Sequence, residues 1–176
     1  RYNLRKSMLK KTILYTLLLL SSVAQAQLLP NIVASPKGNL SLEIVASDSP
    51  KYIKEWISTK PENAITIKRL KQAKPNQLIV IAFLTSGLSA DSNGKYHYSV
   101  NVYILAPNNE PIWGQRNYAG GKGLLPKKPM IMMADPALDF VLESSDPAGE
   151  YTIVAQVTDH VSGVKTDGNY KILYSK

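Results

Sequence analysis

The sequence contains no cysteine, which excludes a disulfide framework, a thiolate metal site, a cysteine nucleophile and a lipid-modified cysteine behind a leader. Histidine is scarce as well. His97 and His160 are the only two, so the side chain best suited to moving protons near neutral pH has two places to act. His97 reads as a half-exposed cross-strand residue. Asp159, His160 and Ser162 supply the residue types of a hydrolytic site, but neighbours in one tight turn point apart, and no G-x-S-x-G elbow occurs. The 13 acidic residues are scattered over strand ends. Asp91-Ser92-Asn93-Gly94 has the oxygen-bearing residues and the glycine of a calcium loop but not its distal ligands, and an Asn-Gly hairpin turn explains the same residues. No enzymatic activity, metal or cofactor is therefore expected.

A long apolar run is also missing. Thr12 to Val23 falls well short of the roughly 20 residues that cross a bilayer. What stands there is Met8, then Lys10 and Lys11, an apolar stretch from Ile13 to Leu20, and the small-residue run Ser21-Ser22-Val23-Ala24-Gln25-Ala26. That is the order of a secretory signal peptide, with Ala24 and Ala26 as the cleavage-site residues and Gln27 as the first mature residue. Residues 1–7 read as an extension ahead of the true start, 8–26 as the signal peptide. The expected location is the periplasm, or else the exterior, with no transmembrane segment after cleavage.

Removing the leader changes the charge. Five of the 21 basic residues go with it, leaving 16 against 13 acidic ones, about +3 rather than +8. A surface so near balance gives no reason to expect a nucleic-acid partner, which needs clustered cations against phosphates. The one basic cluster, Lys68-Arg69-Lys71-Lys74, reads as the solvated face of a strand and its following turn.

The mature chain reads as many short strands. Leu40 to Ala46 is one. Ser49-Pro50 then opens a short helix whose stripe is Ile53, Trp56 and Ile57. Beyond Pro61 the pattern has period two: Ile65 to Arg69, the apolar Leu78 to Thr85, and the clearest strand, in which Tyr96, Tyr98, Val100, Val102 and Ile104 alternate with polar residues. Ile112 to Gln115 is short. A loop rich in Gly, Lys and Pro is predicted from Arg116 to Pro129, then Met130 to Met133, Leu138 to Glu143, Tyr151 to Thr158 and Asn169 to Tyr174 as strands. Residues 27–63 read as an arm with a short helix packing on a sandwich formed by residues 64–176.

Asp146-Pro147-Ala148-Gly149-Glu150-Tyr151-Thr152-Ile153, followed by Val157-Thr158-Asp159 and Ser162-Gly163, resembles the last hairpin of immunoglobulin-like domains, and the likeness extends over about Ile65 to Tyr174. It implies an all-β, immunoglobulin-like antiparallel β-sandwich with a short N-terminal helical segment. It also implies that Tyr151 is a structural corner whose hydroxyl bonds backbone upstream. The chain is similar, too, to small periplasmic proteins of Gram-negative bacteria, a likeness that brings no activity with it. The functional expectation is a non-enzymatic exported module that binds another envelope protein or a surface glycan. A carbohydrate-binding or carbohydrate-active envelope domain and a periplasmic inhibitor or immunity protein are the alternatives. The candidate binding residues are Trp113, Arg116, Tyr118, Lys122 and Lys127, an aromatic platform rimmed by cations on the predicted loop.

Overall fold

The computed structural model describes residues 40–60, 63 and 65–176. The leader, with Ala24 and Ala26, and most of the first half of the 27–63 arm lie outside the described residues. Nine strands and one helix follow in order: β1 (Ser41–Ser47), α1 (Lys51–Ser58), β2 (Gln72–Ala73), β3 (Leu78–Ser86), β4 (Lys95–Leu105), β5 (Pro111–Leu124), β6 (Met132–Met133), β7 (Leu138–Val141), β8 (Gly149–Asp159) and β9 (Lys165–Tyr174). In the first sheet β3 pairs antiparallel with β1 along one edge, and along the other with β7 (Ile79↔Phe140) and β6 (Leu84↔Met133). The second sheet runs β2-β9-β8-β4-β5, antiparallel except for the short parallel pair β2 and β9.

Alternation along each strand sends one face of both sheets into a shared core. Ile44 and Ala46 from β1, with Ile79, Ile81 and Phe83 from β3, meet Val100, Val102 and Ile104 of β4 and Ile153, Ala155 and Val157 of β8. The architecture is therefore an all-β two-sheet sandwich. The other face of β3 is apolar as well. Val80, Ala82 and Leu84, together with Val45, are buried under the helix residues Tyr52, Ile53 and Trp56. The stripe predicted on α1 included Ile57, which is 78% exposed. Tyr52 takes its place, because Tyr52, Ile53 and Trp56 lie on one side of the helix and the Tyr52 hydroxyl donates to Val80 O at 3.4 Å.

Two further readings change. Ile65 to Arg69 forms no strand. Ile67 packs into the helix layer, so its alternation reflects cover for α1 rather than a ladder, and pairing starts only at β2. The stretch read as an arm supplies β1, a full strand of the first sheet. The larger difference is β5, which continues as an edge strand to Leu124 where a loop from Arg116 to Pro129 was expected. Its glycines are paired with aromatic rings on β4: Gly123 stands opposite Tyr96, Gly121 opposite Tyr98 and Gly114 opposite Tyr103. A Cβ at Gly121 would come within 2.9 Å of the Tyr98 ring, and one at Gly114 would collide with the Tyr103 ring. Rings lying across glycines in the neighbouring strand replace the missing side-chain cover, so here glycine marks close packing rather than mobility.

These contacts differ in kind, which gives a test. A Cβ at Gly120 would strike the Tyr98 carbonyl, which is backbone, whereas one at Gly123 meets the Tyr96 ring at an ordinary 3.4 Å. Gly120→Ala should cost about 2 kcal/mol by urea denaturation, and Gly123→Ala should lie within about 0.5 kcal/mol of the wild type. Equal effects would contradict the packing described.

Candidate functional site

The aromatic candidates on β5 are engaged in the fold. Trp113 stands opposite Ile104 and packs edge-to-face with Tyr118 at 5.4 Å. Tyr118 in turn meets the edge of Phe83 at 6.4 Å, and its hydroxyl donates to Ala137 O at 3.0 Å. Burial, with help from the nearby Asp139 carboxylate, raises the Tyr118 pKa above the usual phenol value. Both rings are half-buried and close the gap between the sheets along this edge. Arg116 and Lys122 are exposed on β5, and Lys127 lies beyond its end. Two of the five candidates thus pack at the edge, two stand exposed on it and Lys127 lines a groove beyond it.

The Asp159 turn and the two histidines separate as their neighbouring positions imply. Asp159 is 1% exposed. Its Oδ2 accepts from Ser162 Oγ at 2.7 Å and Ser89 N at 2.9 Å, and its Oδ1 from Val161 N at 3.0 Å. Burial alone would raise its pKa, but these hydrogen bonds outweigh burial and hold the carboxyl below its ordinary value. His160 points the other way. Its ring stacks on His97 with centroids 4.4 Å apart, and its Nε2 hydrogen-bonds Ser99 Oγ at 2.9 Å. The Ser99–His160 contact escaped the sequence reading because it forms across β4 and the turn after β8. Asp159, the carboxylate adjacent in sequence, is spent on the turn and does not orient the imidazole, so the pair lacks the third member that activates a serine. Asp91, from the calcium-like segment, accepts from Asn93 N and Lys95 N at 2.8 Å each. Both bonds cap the turn, and the Lys95 amide foremost lowers the Asp91 pKa.

The feature the sequence reading missed is a groove of about 580 Å³ at one end of the sandwich. One wall is Ser86-Gly87-Leu88, where β3 ends, and the other is the segment from Leu125 to Met132. Leu125 N donates to Gly94 O at 2.8 Å, which seats the Asp91 to Lys95 turn beside it. The floor carries Leu88, Leu125, Met130, Ile131 and Met132, while Lys127 and Lys128 stand at the rim and no acidic residue lines it. Ile131 is 49% exposed, and Leu124, just before the groove, is 72% exposed. The sequence signal was present in Leu125-Pro126-Lys127-Lys128-Pro129-Met130-Ile131, apolar and basic residues between β5 and β6. Its partner wall lies some forty residues upstream. A second, polar recess of about 560 Å³ lies on the outer face of the second sheet, among Asn109, Glu150, Thr152, Asp167, Asn169 and Lys171.

No protein-family model and no curated protein matches the sequence. Among solved structures the chain is similar to the sporulation control protein Spo0M from Bacillus subtilis, at 11% identity and a TM-score of 0.43, over 80% of this chain and 51% of that one. It is likewise similar to a Niemann-Pick type C2 protein from the Japanese carpenter ant, at 12% identity and a TM-score of 0.39, over 84% of this chain and 99% of that one. The chain thus spans about half the length of the first. Among the described residues no helix is long and apolar enough to cross a membrane.

The hydroxyl of Tyr151, a residue 1% exposed, donates to Pro147 O at 2.9 Å. Tyr151→Phe should lower stability by about 1 kcal/mol, read as a shift in urea midpoint with unchanged slope. Asp159→Ala removes three charged hydrogen bonds and should cost on the order of 3 kcal/mol at neutral pH. Because the folded pKa of Asp159 is depressed, its contribution is present above the unfolded value of about 3.9 and fades as pH falls through the folded one. The gap between wild type and Asp159→Ala should therefore narrow in acid. A gap constant with pH would show that the carboxylate's charge plays no part.

Proposed function

We propose that this chain is a non-enzymatic binding module with an immunoglobulin-like sandwich, exported to the bacterial periplasm, and that it engages an envelope component through the groove between Ser86–Leu88 and Leu125–Met132. The observation that carries the reading is the apolar groove open at one end of the sandwich, beyond the last residues of β3 and β5. Exposed apolar surface with a polar rim marks a binding site more often than a defect. The signal-peptide pattern supports export.

A glycan-binding face is the second reading. It is favoured by the polar recess on the second sheet, where Asp167 Oδ1 accepts from Gln156 Nε2 at 2.9 Å while the buried Oδ2 has no partner. Trp113 and Tyr118 lend this reading little support, since both rings pack at the core edge.

The test uses the full chain expressed with its leader. The mature protein should have an intact mass beginning at Gln27 and sit in the soluble periplasmic fraction, and a retained leader would contradict export. Ile131→Glu places a charge on the groove floor at a half-exposed position. It should change stability by no more than about 0.5 kcal/mol yet lose capture of the envelope component that wild type retains. Capture unchanged in a sound fold would move the binding face elsewhere, and loss on Asn169→Ala instead would favour the glycan reading.

A further inference from the structure

The chemistry of the groove narrows what it can hold. Pro126 and Pro129 carry no backbone N–H, so this wall has fewer donors that an apolar occupant would leave unsatisfied. Met130 and Met132 are unbranched thioethers able to follow a flexible chain rather than one rigid shape. A volume of about 580 Å³ falls in the range of small-molecule sites. Lys127 and Lys128 line the groove with no carboxylate among the lining residues, while in the neighbouring turn Lys95 is offset by the Asp91 carboxylate. Where an occupant leaves the apolar floor it therefore meets cations that no lining acid neutralises.

We infer that the groove binds a single-chain anionic amphiphile, an alkyl chain lying on Leu88, Leu125, Ile131 and Met132 with a carboxylate or phosphate held at Lys127 and Lys128. This rests on the reading that the groove is the binding site. The chain provides burial roughly proportional to its length. The head group accepts charge-assisted hydrogen bonds from the lysine ammonium groups, which a neutral polar head cannot match. Both halves are required, since a purely apolar ligand leaves the lysines idle and a small anion leaves the floor wet.

Calorimetric titration of the full chain with octanoate, decanoate, dodecanoate, decyl phosphate and decyl maltoside, each below its micellar concentration, tests the inference. Dodecanoate should bind saturably at one per chain, and each two methylenes removed should weaken binding roughly tenfold. Decyl maltoside should bind at least tenfold more weakly than decanoate, and Lys127→Gln with Lys128→Gln should close most of that gap. Comparison of decanoate with decyl phosphate distinguishes a fatty-acid head from a phospholipid-like one. Absence of saturable binding, equal affinity for the maltoside, or indifference to the lysine changes would overturn the inference. If dodecanoate fails to bind while Ile131→Glu still abolishes envelope capture, the amphiphile is wrong and the groove stands. If dodecanoate binds as described while Ile131→Glu keeps envelope capture, the amphiphile stands and the groove is not the envelope contact.

Discussion

Strand β3 has to be covered on two faces at once, and most of the architecture answers that requirement. Its side chains from Ile79 to Leu84 are apolar without a break and no more than 5% exposed. Alternation sends Ile79, Ile81 and Phe83 into the space between the sheets and Val80, Ala82 and Leu84 to the opposite side. A two-layer sandwich hides only the first set. The helix immediately after β1 hides the second, because a short connection from β1, which flanks β3 along most of its length, leaves Tyr52 and Trp56 directly over it. Burial of this kind is the largest favourable contribution in a chain without cross-links.

Around that centre, tyrosine hydroxyls do part of what disulfides do in cross-linked domains. Tyr52, Tyr118, Tyr151, Tyr170 and Tyr174 donate to the carbonyls of Val80, Ala137, Pro147, Leu70 and Glu143. Each ring is anchored in or against the core while its hydroxyl fixes a neighbouring strand, loop or turn. Tyr151 and Tyr174 reinforce one another with rings edge-to-face at 6.1 Å, so the turn before β8 and the segment after β7 are held from one point. Each bond contributes about 1 kcal/mol, less than a disulfide's 2–5 kcal/mol, but several distributed around the rim fix many loops without closing any covalent ring.

How much of this the sequence discloses depends on whether a feature is periodic within one segment or assembled from several. Period two in Tyr96 to Ile104 and the unbroken run at Leu78 to Thr85 are local, and both read correctly as strands. Tyr151 carries its own context in the preceding Asp-Pro-Ala-Gly turn. Gly121 and Gly123 read as part of a loop because their partners, Tyr98 and Tyr96, lie in the strand before. Ile65 and Ile67 alternate like a strand, yet Ile67 packs into the layer under the helix. The groove is the extreme case, since neither Ser86-Gly87-Leu88 nor the Leu125 to Met132 segment is a site alone, and only the pairing of β3 with β6 and of β4 with β5 brings them together.

The same packing explains why this recess is the part left open. Strand β5 ends at Leu124 and β6 starts at Met132, so between them Leu125 to Ile131 has no ladder to join and no helix above it. Ile131 is therefore left half-exposed over the recess, while Leu125 packs against the core. Methyl-resolved NMR of the full chain titrated with dodecanoate examines this most directly, because Leu88, Leu125, Met130, Ile131 and Met132 each report on the groove. Shifts confined to those methyls, with Ile112 and the Val80 and Leu84 layer under the helix unmoved, are the expected result. Shifts centred on the β5 edge around Ile112, or spread through the core, would contradict it.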